Sequence, residues 1–141
     1  FFKKDHSIFY KVIKKKNKKE NKNKNYQKNK KCFEDYIKFL KKDVKQINKK
    51  TKDLKGVFLF GAHVFSQYLI NLGLNTKNII NILDNDAKKQ NKRLYGTKLL
   101  VKSPNILKKY HKPTVIIRAG VYNYEILNQI KKNINPHTYF L

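Results

Sequence analysis

Three apolar runs in this chain end in residues that can touch a ligand. Residues 57–60, VFLF, are followed by Gly61, Ala62 and His63. Residues 79–83, IINIL, are followed by Asp84. Residues 114–117, TVII, are followed by Arg118, Ala119, Gly120, then Tyr122 and Asn123. A glycine directly after a buried strand permits a tight turn into a helix, and helix N-termini attract anions. Asp84 comes 23 residues after Gly61, near the spacing at which an acid meets ribose hydroxyls in dinucleotide folds. A guanidinium at a strand tip beside a helix start suits a phosphate. The three tips together predict a pocket for one phosphate-bearing ligand. Its lining is Gly61, Ala62, His63, Asp84, Arg118, Gly120, Tyr122 and Asn123.

The same residues set limits. His63 and Ser66 stand where a dinucleotide loop prefers glycine, and a side chain at 63 obstructs a close pyrophosphate. A full NAD site is therefore not expected. His63 reads better as a helix-start or ligand-contacting residue than as a catalytic base. Arg118 has an alternative use, an ion pair with Glu125 or Asp84. The chain offers no nucleophile with its base, no carboxylate dyad and no metal cluster, so no catalytic residue and no metal ligand is assigned. The single cysteine, Cys32, excludes an internal disulfide and a Cys-based zinc site.

The positioning elements follow from periodicity. Residues 7–13, SIFYKVI, have strand composition and are expected to close an upstream domain. Residues 17–31 read as a Lys/Asn-rich linker or the frayed start of a helix, too polar to offset the entropy of ordering. Residues 32–55 read as a connecting helix, with Phe33, Ile37, Leu40, Val44 and Ile47 in one apolar stripe. From Gly56 onward, strands are expected at 57–60, 79–83, 99–101, 114–117 and 137–141. Helices are expected at 63–72, 103–110 and 121–132. The alternation predicts an α/β domain over 56–141: a Rossmann-like parallel sheet of about five strands in the order 3-2-1-4-5, with helices on both faces. Residues 84–97 read by composition as a solvated loop.

Charge and length narrow the class. Of the 34 basic side chains only Arg93 and Arg118 are arginine, and the net charge is +25. Readers of phosphates and base edges lean on arginine's bidentate fork, so a lysine-dominated surplus points to a solvated surface and not to specific nucleic-acid binding. No apolar run approaches the roughly 20 residues of a membrane span. A reducing, cytoplasmic setting is the default for a chain with one thiol. The chain opens on Phe1, which reads as a piece of a longer polypeptide.

FGAHVFSQYL, ILDNDAKKQNKRLYGTKLLVKSPNIL and PTVIIRAGVYNYEI together resemble the C-terminal domain of sugar C-methyltransferases. The family pattern D-N-x-x-x-K-Q-G-x-x-x-P-G-T-x-x-x-I-x-S-P is matched by Asp84, Asn85, Lys89, Gln90, Gly96, Thr97, Ser103 and Pro104. Glu125 and Ile126 match the E-I further on. Asn91 stands in place of a glycine and Tyr95 in place of a proline. The resemblance implies S-adenosylmethionine as cofactor of an upstream domain that is absent here, as are that domain's zinc-binding cysteines. It also implies a nucleotide-sugar substrate, a role in surface polysaccharide biosynthesis, and the chain's own catalytic domain as partner. This part would help hold the sugar nucleotide or brace the catalytic domain. Two rivals remain at this point: a stand-alone nucleotide-sugar binding module, and a basic nucleic-acid-binding protein.

Overall fold

A computed structural model describes residues 25–141. The strand expected at 7–13 and the linker residues 17–24 lie outside the described residues. The sheet is five-stranded and wholly parallel, in the order β3-β2-β1-β4-β5. Its members are β1 (Val57–Phe60), β2 (Ile79–Leu83), β3 (Val101–Lys102), β4 (Thr114–Ile117) and β5 (Tyr139–Phe140). β1 and β4 are buried at every residue. That is why they read as unbroken apolar runs, as parallel strands covered on both faces do.

Alternation along β1 divides the core in two. Val57 and Leu59 face Val44 and Ile47 of α1 (Tyr26–Thr51), together with Leu69 of α2 (Val64–Asn71). Phe58 and Phe60 face Leu107 of the 3₁₀ helix Pro104–Lys109, and Ile126 and Ile130 of α3 (Asn123–Asn133). Helices therefore cover both faces. α2 stops in a Schellman turn: Leu74 N–H donates to Leu69 O and Gly73 N–H to Ile70 O, with Gly73 at φ +100°.

Several elements differ from their sequence expectations. α1 begins at Tyr26, inside the stretch read as linker, and an exposed Lys30–Glu34 pair accompanies its first turns. The helix expected at 103–110 is a 3₁₀ helix, with Ser103 as its N-cap and Pro104 at its first position. α3 starts late because a 3₁₀ turn, Gly120–Tyr122, comes first, and the Asn123 side chain accepts the Ala119 N–H at 2.7 Å. The stretch 84–97 is more than a solvated loop. Leu94 N–H donates to Leu99 O, Val101 N–H to Lys92 O, and Arg93 bridges Leu100 in antiparallel fashion. This fold-back delivers the Leu94 side chain into the core.

That burial is testable. Leu94→Ala should cost about 2–4 kcal/mol, as a core truncation does, where a solvated loop would cost almost nothing. Urea unfolding of the two proteins measures the difference.

Candidate functional site

The tips of β1 and β2 are joined by one carboxylate. Asp84 Oδ2 accepts the Ala62 N–H at 2.7 Å and the Lys89 ammonium at 3.2 Å. Its Oδ1 accepts the Asp86 N–H at 2.9 Å. Gln90 donates from its side chain to the Asp84 carbonyl at 3.0 Å. Asp84 is buried, and burial alone would raise its pKa. The Asp86 and Ala62 N–H groups and Lys89 outweigh that and hold the carboxyl below its usual range.

Gly61 sits at φ +102°, and its N–H donates to Leu83 O at 2.7 Å. Ser66 donates its hydroxyl to the Gly61 carbonyl, anchoring the turn to α2. His63 caps α2: its Nδ1 accepts the Phe65 N–H at 3.2 Å, which leaves the ring proton on Nε2. The imidazole folds back over Gly61, so that a Cβ there would collide with the ring. The space beside Gly61 that a pyrophosphate would enter holds this ring. The carboxylate that would take ribose hydroxyls is already bonded to the chain. The β1 tip thus fits neither a dinucleotide nor S-adenosylmethionine. Burial pushes the His63 pKa below the usual histidine value; Asp84 opposes that shift and Lys89 adds to it.

The β4 tip is arranged differently from the expectation. Arg118 pairs with neither Glu125 nor Asp84. Its Nε and Nη2 donate to the two carboxylate oxygens of Asp43 on α1, at 2.7 and 2.8 Å. Its Nη1 donates to Ile117 O and to Leu141 O, at 2.7 and 2.8 Å. This guanidinium is a clamp between α1, β4 and the last residue. With Gly120 and Asn123 it lines one end of an apolar cavity of about 230 Å³ between α1 and α2. The structure therefore splits the predicted residues. Gly61, Ala62, His63 and Asp84 form one hydrogen-bonded knot; Arg118, Gly120 and Asn123 border a separate groove, with Tyr122 exposed beside them. Sequence reasoning missed Asp43, although an acid inside the apolar stripe of a helix was the available signal. Among the described residues no group of three or more His, Cys, Asp or Glu could hold a metal, and no helix is long and apolar enough to cross a membrane.

The two departures in the 84–97 stretch now have a geometry. Asn91, standing where the pattern carries glycine, adopts φ +63°. Asparagine is among the few side-chain-bearing residues that tolerate that region. Its Oδ1 also accepts from Lys102 Nζ at 2.9 Å. Tyr95, in place of proline, is exposed in the turn closed by Thr97, whose N–H and hydroxyl both donate to Leu94 O.

A parallel sheet in the order 3-2-1-4-5, with a glycine turn after its first strand, defines a Rossmann-like α/β domain. The chain belongs to the C-methyltransferase C-terminal domain family, whose model matches residues 3–141. No curated protein and no solved structure matches it significantly.

Acid should loosen the β1 knot. The depressed pKa of His63 means that its contribution to stability is fully present above the unfolded value of about 6.5 and is lost as pH falls toward the folded one. Asp84 adds a further loss in the carboxylate range, in the same direction. The melting temperature should therefore drop between pH 7 and 5. His63→Asn keeps an N-capping acceptor without the titration and should flatten that drop. At residue 91, glycine should be tolerated. Asn91→Val should cost about 1–3 kcal/mol for a β-branched residue at positive φ, read by chemical denaturation.

Proposed function

We propose that this chain is the non-catalytic C-terminal part of an S-adenosylmethionine-dependent methyltransferase acting on nucleotide-linked sugars, in cytoplasmic steps of surface polysaccharide synthesis. The observation that carries the non-catalytic assignment is the internal use of the charged groups at the strand tips. Asp84 is bonded to Ala62, Asp86 and Lys89, and Arg118 to Asp43 and two carbonyls. Neither group is left to donate or accept a reacting proton. Methyl transfer and the cofactor belong to the upstream domain.

The β4–α3 loop is the surface this domain offers to a sugar nucleotide. Gly120 and Tyr122 are exposed there, and Asn123 holds the loop closed through Ala119. The Tyr122 ring supplies a face on which a base or sugar ring can stack. Calorimetric titration with UDP-, GDP-, CDP- and dTDP-sugars, at two salt concentrations, tests this. Selective binding that survives added salt is expected, because lysine-driven attraction would fade. Tyr122→Ala should weaken it roughly tenfold, about 1.4 kcal/mol, while Tyr95→Ala should leave it unchanged. Silence toward all four sugars in folded protein would end the substrate reading.

A further inference from the structure

From Phe33 onward α1 carries one apolar stripe, Phe33, Tyr36, Leu40, Val44 and Ile47, at three- and four-residue steps, which the buried Thr51 continues. Only its second half is used. Exposure falls from 64% at Phe33 and 52% at Tyr36 to 1% at Val44 and 2% at Ile47. A 26-residue helix is about 39 Å long, so α1 overhangs the sheet that buries its C-terminal turns. The overhang is one wall of a groove. Phe65, Tyr68, Leu69 and Leu72 of α2 form the other, around the cavity of about 230 Å³. Phe65 and Tyr68 are themselves exposed, as are Val64, which precedes Phe65, and Val121, which follows the groove residue Gly120. A contiguous apolar face of this kind marks an interaction surface.

We propose that this α1–α2 groove is where the domain docks the methyltransferase domain that precedes it in the polypeptide. The inference rests on the methyltransferase reading above and names the surface used. Chain geometry supports this occupant. Whatever precedes α1 is tethered at Tyr26, ten residues and about 15 Å along the helix from Tyr36, so it is presented to the groove at high effective concentration. Charge argues against a second copy of this chain, because two molecules of net charge +25 repel. The complementary surface is therefore apolar, to match the aromatic and leucine side chains that line the groove.

Hydroxyl-radical footprinting of the full-length polypeptide and of this 141-residue chain tests the inference. Tyr36, Phe65 and Tyr68 should react several-fold less in the full-length protein. Tyr95 and Tyr139, exposed elsewhere, should react equally in both. Phe65→Asp or Tyr36→Asp, each a change at an exposed position, should return the remaining groove aromatics to the reactivity of the short chain while circular dichroism is unchanged. Equal labelling of the groove in both proteins overturns the proposal. So does protection in the short chain that grows with its concentration, which would assign the face to a second copy. The two readings fail separately. Protected aromatics without sugar binding remove only the substrate, and sugar binding with unprotected aromatics removes only the docking face.

Discussion

The Asp84 carboxylate is the point on which this end of the sheet depends. It is buried at the tip of β2, yet it stays charged because two backbone N–H groups and Lys89 repay its desolvation. Through Ala62 it sets the path of the β1 turn, and so the start of α2 and the position of His63. Through Asp86 and the Gln90 side chain it sets the start of the fold-back that sends Leu94 into the core. One acid thereby joins a turn, a helix cap and part of the core.

Arg118 plays the matching role on the other side of β1. Its fork meets both oxygens of Asp43, and its remaining bonds fasten β4 to the chain end at Leu141. The pair fixes where α1 crosses the sheet. Asn48 adds to that attachment by bonding the Gly73 carbonyl and the Asn75 N–H, and Asn78 by donating to the carbonyls of Thr51 and of Lys52, the residue that caps α1. With the second half of α1 held this firmly, its first half projects at a fixed angle beside α2. Arg118, which the sequence places at a strand tip, is thereby bonded to the helix that carries the apolar face.

Strands β1, β2 and β4 and the strand order were legible because a parallel strand buried on both faces has to be apolar throughout, and glycine marks where it turns. The helix stripe at 33–47 was legible for the same kind of reason. The edges were less so. β3 and β5 are two residues long, and such short elements have no periodicity to read. The stretch 84–97 looked like a solvated loop because its single anchor, Leu94, is one apolar residue among polar ones.

The site divides along the same line. The sequence by itself determined which residues stand at the strand tips, since the side chains that close an apolar run are visible in one dimension. It also determined the family resemblance, through the spacing of Asp84, Lys89, Gln90, Gly96 and Thr97. Only the tertiary structure decided what those tips are bonded to. Asp43 lies 75 residues from Arg118, and Ala62 lies 22 from Asp84. A charged group's partner is chosen by proximity in the folded chain, where desolvation makes an unpaired charge costly, and no local pattern carries that information.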